Sequence, residues 1–259
     1  MIVCRSSAEL ERMREAGRLV GEVLSELASK VAPGVNTAEL DEMAERRIAK
    51  AGATAAFKGY HGYPATICAS INDEVIHGIP SGRRVLEEGD IISIDVGASL
   101  DGYFGDSAIT LPVGHVSEEA ATLLRVTEEA LYKAIERVRP GARVSDIGHA
   151  VQRHVEDAGF SVVRTLVGHG IGRSMHEDPQ IPNYGDPGTG VVLEEGMVLA
   201  VEPMVTAGRH AVRISDDHRA IYSLDGSLAA HFEFTIAVTA DGPRILTPWH
   251  EAGNGRAAA

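Results

Sequence analysis

Residues Gly89 to Leu111, GDIISIDVGASLDGYFGDSAITL, carry two carboxylates, Asp95 and Asp106, on a stretch that alternation marks as a hairpin. From Ile91 to Val96 the pattern has period two, so Ile92, Ile94 and Val96 share one face while Ser93, Asp95 and Gly97 share the other. Ser99 to Gly102 reads as the turn, and Asp106 falls near the start of the second arm. One acid on the inner face of an apolar strand is costly unless something pairs with it. A lone case usually holds a turn or meets an arginine. Two on one hairpin point toward metal binding or acid–base work.

The chain then repeats its plan. Pro33-Gly34 returns as Pro140-Gly141, Ala51-Gly52 as Ala158-Gly159, and Leu86-Glu87-Glu88-Gly89 as Leu193-Glu194-Glu195-Gly196, always 107 residues on. One constant offset, with a tetrapeptide among the matches, argues for duplication. The expected fold is α+β: two halves, each of two helices followed by strands, about a pseudo-twofold axis.

The repeat has a chemical consequence. Asp95 falls on Glu202 in Met197-Val198-Leu199-Ala200-Val201-Glu202, and the second arm finds its counterpart in Phe232 to Val238, which carries Glu233. That second offset is 127, so about 20 extra residues between Thr206 and Ala230 are expected to lengthen the loop of the second hairpin. Four carboxylates directed at one centre repel one another unless cations sit between them. Three histidines accompany them: His77, His169 in Gly168-His169-Gly170-Ile171-Gly172, and His176. The glycine run does not continue as G-x-G-x-x-G, because Arg173 occupies the last position, which excludes a dinucleotide fingerprint. One imidazole with four carboxylates suits Mn, Fe, Co or Zn in a two-metal site. A single structural Ca²⁺ is the blander alternative, and central histidines speak against it.

The elements that must position these groups are readable. Ser6 to Lys30 has helical periodicity, with Ser6 or Ser7 as cap and Pro33-Gly34 beyond its end. Thr37 is a candidate N-cap for a second helix running to Lys50 and stopped by Gly52. Strands are expected around Ala65–Ser70 and Glu74–Gly78. With 259 residues, 44% of them hydrophobic, the chain can bury a full core. A net charge of −13 argues against DNA or anionic-membrane affinity. Cys4 and Cys68 give no disulfide framework, and the N-terminus lacks an apolar signal region, so a cytoplasmic protein is expected. The tail 250–259 is expected to be disordered.

Five blocks carry a family likeness: ASINDEVIHGIP, SIDVGASLDGYFGDSA, GHGIGRSMHEDP, AVEPM and HFEFTIAVT. Together they resemble the signature blocks of type I methionine aminopeptidases in their short bacterial form, over roughly Glu9 to Leu246. The resemblance implies the pita-bread fold as one catalytic domain over 1–249, with halves of about 9–111 and 116–240. It implies Asp95, Asp106, His169, Glu202 and Glu233 as ligands of two divalent metal ions, Asp106 and Glu233 bridging. It also implies His77, His176 and Glu202 as catalytic groups, and a methionine pocket formed by Phe57, Tyr60, His61, Tyr63, Cys68, Met175 and Arg219. The activity implied is removal of the initiator methionine from nascent polypeptides when the second residue is small, by a monomer with transient ribosome contact. Two positions depart from the family's pattern. The only tryptophan is Trp249, so His218 or Arg219 replaces the expected pocket aromatic, and Phe234 follows Glu233 where histidine is usual. Alternatives within the fold are an Xaa-Pro aminopeptidase or prolidase, although those look longer, and a non-catalytic binding relative.

Overall fold

The computed structural model describes residues 2–216 and 219–250; His218 and all of the tail beyond His250 lie outside the described residues. Among the described residues four α-helices form two pairs: α1 (Ser7–Ala28) with α2 (Thr37–Lys50), and α3 (Glu118–Ile135) with α4 (Val144–Asp157). Ser6 caps α1 in a capping box with Glu9. Asn36, not Thr37, caps α2, its Oδ1 accepting from the Glu39 N–H at 3.1 Å. Thr37 is the first helical residue instead, and its hydroxyl bonds the Ser81 main chain. Asn was the stronger N-cap candidate by chemistry, being a good acceptor one residue before the periodic run.

The duplication is visible bond by bond. Asn36 bridges Val85 and Arg143 bridges Val192; Gly34 N–H donates to Leu86 O and Gly141 N–H to Leu193 O, at 2.8 and 2.9 Å. Each pair is related by the offset read from the sequence. In the first half, Ile91–Leu100 and Tyr103–Pro112 form a long antiparallel hairpin, flanked by Ile67–Ile71 and Thr54–Ala55. Its turn is tighter than expected: only Asp101 and Gly102, both at positive φ (51° and 75°), as a two-residue hairpin loop requires. In the second half, Val198–Val201 pairs with Phe234–Thr239 on one side and Val167–Gly170 on the other.

The extra stretch after Thr206 is not a plain loop. It forms strands Val212–Ile214, Ile221–Ser223 and Ala229–His231, which add to Glu74–Ile76 and Met204–Thr206. Short runs such as Ile221-Tyr222-Ser223 gain strand structure from partners far away in sequence, which local periodicity does not reveal. Helix α1 lies against the first hairpin because two glycines let the backbones meet. A Cβ on Gly105 would stand 2.9 Å from Gly17 Cα. Apolar side chains of both halves, from Leu19 to Val238, then merge into one buried cluster.

Candidate metal centre

Strand register places the acids. Asp95 pairs with Cys68 on one neighbouring strand and Ala108 on the other, and Gly97 pairs with Asp106. Cys68, Asp95, Gly97 and Asp106 therefore share a face, and the two carboxylates sit diagonally on it. Gly97 is required there, because a Cβ would stand 2.7 Å from the Phe57 ring. In the other half, His169 pairs with Ala200, two residues before Glu202, and Glu233 immediately precedes the strand that pairs with Val198–Val201.

A seam of hydroxyls brings the halves together. Asp106 N–H donates to Thr235 Oγ1 at 3.0 Å, and the Thr235 hydroxyl donates to Asp106 O at 2.8 Å. Glu233 N–H donates to Ala108 O at 2.9 Å, and Ser107 Oγ donates to Glu233 O. The main chains of Asp106 and Glu233 are thus fixed opposite each other, with buried polar groups satisfied across the join.

Their side chains are not satisfied. Asp106, His169 and Glu233 are buried, with ligand atoms all within 4.8 Å of one another. His169 Nε2 lies 3.6 Å from Glu202 Oε1 and 3.9 Å from Asp106 Oδ2, beyond hydrogen-bond reach. Buried oxygens of Asp95, Asp106 and Glu233 have no hydrogen-bond partner. The chemistry of this donor set fits divalent cations: orphaned carboxylate oxygens and one imidazole nitrogen converge in a desolvated space. His169 is prepared for this, because its Nδ1–H donates to Gly170 O at 2.9 Å and leaves Nε2 as an acceptor facing the acids.

Electrostatics agree. Burial, then repulsion from Glu233 and Asp95, pushes Asp106 well above the usual carboxylate range. Burial and neighbouring carboxylates do the same to Glu202 and Glu233, and burial raises Asp95 to about 7. Burial, with His176 nearby, lowers His169 to about 4, so it is neutral at pH 7.

The raised acids give a signed expectation for the metal-free protein. Groups whose folded values exceed the unfolded ones stabilise the fold fully at low pH and lose that contribution as pH rises through the folded values. The depressed histidines act oppositely, but their contribution is complete above about 6.5 and adds no slope beyond it. Between pH 6.5 and 7.5 the stability of metal-free protein should therefore fall as pH passes the raised value of Asp95, about 7, with a slope of up to about 1.4 kcal/mol per pH unit from that group. Saturating Mn²⁺ or Co²⁺ should flatten the slope. Calorimetry showing metal-free stability flat or rising over that range would contradict the assignment of these acids as a repelling cluster.

Above the acids opens a cavity of about 510 Å³. All fourteen site residues expected from the sequence line it: the four acids and His169, with His77, His176, Phe57, Tyr60, His61, Tyr63, Cys68, Met175 and Arg219. His77 and His61 stand at positive φ (63° and 46°), a backbone strain that concentrates at functional sites. The His176 ring lies 4.2 Å from that of His169, and its Nδ1 is 2.8 Å from Tyr60 Oη. The turn bearing His176 is held by Glu177, which accepts from Arg173 and Ser174 N–H at 2.8 and 3.0 Å and pairs with Arg5. Tyr63 donates from its hydroxyl to Ile67 O and Gly78 O. Burial and the charge of Asp95 hold Cys68 as a thiol, unsuited to nucleophilic attack.

Sequence reasoning missed Ile76, Leu166 and Val167, which also line the cavity, and His231, buried beside Glu202 and Glu233. The apolar three carry no chemical signature. His231 had one, since it lies two residues before Glu233. Of the two departures from the family's pattern, Arg219 donates from Nη1 to Gly62 O at 2.7 Å, tying two loops at the cavity. Phe234 points away into the core and stacks on Trp249 at 5.3 Å.

Residues 11–240 match the model of metallopeptidase family M24, and the chain belongs to that family. It is 54% identical over 247 residues to the methionine aminopeptidase of Clostridium acetobutylicum, and 54% identical over 247 residues to methionine aminopeptidase 1 of Bacillus subtilis. Each alignment covers 95% of this chain and 99% of the relative. The crystal structure of methionine aminopeptidase from Thermotoga maritima superposes with a TM-score of 0.94 at 46% identity, over 95% of this chain and 99% of that one. The architecture is the pita-bread fold, its halves related by a pseudo-twofold axis and its antiparallel sheets backed by helices.

Proposed function

We infer that this chain is a metal-dependent methionine aminopeptidase, which removes the N-terminal methionine of polypeptides whose second residue is small. The observation that carries the reading is the cluster of orphaned buried carboxylates with His169 at the floor of the 510 Å³ cavity. The near-full-length likeness to methionine aminopeptidases supports it. The halves, about 9–111 and 116–240, act as one catalytic unit within 1–249.

Asp95, Asp106, His169, Glu202 and Glu233 would hold two divalent ions among Co, Mn, Fe and Zn. Bound there, the ions would supply a strongly acidified water as nucleophile near neutral pH. The remaining roles fall to this chain's own groups. Glu202, with a raised proton affinity, takes the proton of the attacking water. Tyr60 Oη donates to His176 Nδ1, leaving His176 Nε2–H to donate to the developing oxyanion. His77, held neutral by burial, meets the amide nitrogen on the leaving side. The acidic floor favours a cationic α-amine, which restricts cleavage to N-termini. Phe57, Tyr63, Cys68 and Met175 offer an apolar, polarizable wall for an unbranched thioether, and Tyr60, His61 and Arg219 close the rim. Among the described residues no helix is long and apolar enough to cross a membrane. The proposed enzyme acts as a cytoplasmic monomer that meets nascent chains near the ribosome.

A three-peptide assay tests this. Metal-stripped protein, re-supplied with Co²⁺, Mn²⁺, Fe²⁺ or Zn²⁺ in turn, should release methionine from Met-Ala-Ser and leave Met-Lys-Ser and Ala-Pro-Ser intact. Cleavage of Ala-Pro-Ser would move the chain to the proline-specific branch. No cleavage by folded, metal-loaded protein would make it a binding relative.

A further inference from the structure

We infer that His231 is a sixth protein ligand of the metal centre, giving the second ion an imidazole of its own; this rests on the two-ion reading above. Its main chain is locked, with N–H donating to Thr110 Oγ1 and C=O accepting from the same hydroxyl, both at 2.8 Å. Its side chain is 2% exposed, and Nε2 has no hydrogen-bond partner. That nitrogen lies 3.8 Å from Glu202 Oε2 and 4.0 Å from Glu233 Oε2. Both separations are too long for a hydrogen bond. They are the separations that donors of one ion have, since two bonds of about 2.1 Å allow at most about 4.2 Å between ligand atoms.

His169 shows the same geometry on the other side, 3.6 Å from Glu202 and 3.9 Å from Asp106. The two oxygens of Glu202 are divided between the imidazoles, Oε1 toward His169 and Oε2 toward His231. A purely structural histidine at this depth would use its ring nitrogen on a main-chain or hydroxyl partner. His231 aims it at two carboxylates instead. The donor set then holds two nitrogens, which tilts preference from Mn²⁺ toward Co²⁺ and Zn²⁺.

The test is the proton NMR spectrum of the full chain loaded with Co²⁺, where each ligating imidazole contributes one strongly shifted, solvent-exchangeable N–H signal. Two such signals are expected, one of which disappears in His231→Gln and in His231→Asn, while His77→Asn keeps both. Calorimetric titration should show one of two Co²⁺ steps weakened at least about tenfold in these variants, with Mn²⁺ binding weakened less. Two bound ions with a single exchangeable signal in the parent protein would overturn this inference and leave the metal centre standing. No Co²⁺ uptake at all would overturn both. The parent spectrum decides the count even if one variant fails to fold.

Discussion

Replacing Asp106 by Asn should lower methionine release by more than about a hundredfold while raising the melting temperature of the metal-free protein. The activity loss follows from removing a carboxylate at the centre of the cluster, where even groups that only orient ligands cost about 10- to 100-fold in metal affinity or activity. The stability gain has the opposite sign for a physical reason. Asp106 is buried among Asp95, Glu202 and Glu233, and without cations the fold must hold these acids protonated against repulsion. An amide of the same shape removes one ionisable member, as when an uncompensated buried charge is replaced. At pH 8 a gain of about 1–2 kcal/mol would appear as a rise of roughly 2–6 °C for a chain of this size. A residue whose importance was only structural would lose stability and activity together. Calorimetry of metal-free parent and variant, beside a Met-Ala-Ser assay, separates the cases, and a metal-free variant less stable than the parent would count against the assignment.

The second large effect belongs to His176. His176→Ala should reduce kcat by about 10²- to 10³-fold, the usual cost of losing one donor at a developing oxyanion. Ion binding and stability should barely change, because the residue is exposed and its Nδ1 bonds Tyr60 Oη rather than a carboxylate. Tyr60→Phe, which removes only the hydroxyl that orients the ring, should cost less. The readout is kcat set against metal titration on the same samples. A His176→Ala variant with parental kcat, or one that loses an ion, would remove His176 from the chemistry.

Much of this was legible in the sequence because the chemistry sits on strands. Period-two alternation around Asp95 fixed which face it occupies, and the constant offset mapped it onto Glu202 before any fold was known. What stayed illegible depends on partners distant in the chain. Thr235 and Thr110 read as ordinary strand residues, yet they tie the main chains of Asp106 and His231 across the seam. Val212 to Ser223 looked like loop because its strands are short and pair with Glu74–Ile76 far upstream. His231 stood in plain view: an i−2 neighbour of Glu233 on an extended segment projects to the same side.

The most direct measurement of the central claim compares Met-Ala-Ser with N-acetyl-Met-Ala-Ser on protein carrying two equivalents of Co²⁺ or Mn²⁺ and on the same protein after chelation. The acidic, metal-binding floor predicts methionine release from the free amine alone, lost on chelation and restored by either ion. Equal cleavage of the acetylated peptide, or release that survives chelation, would contradict a metal centre that selects N-termini.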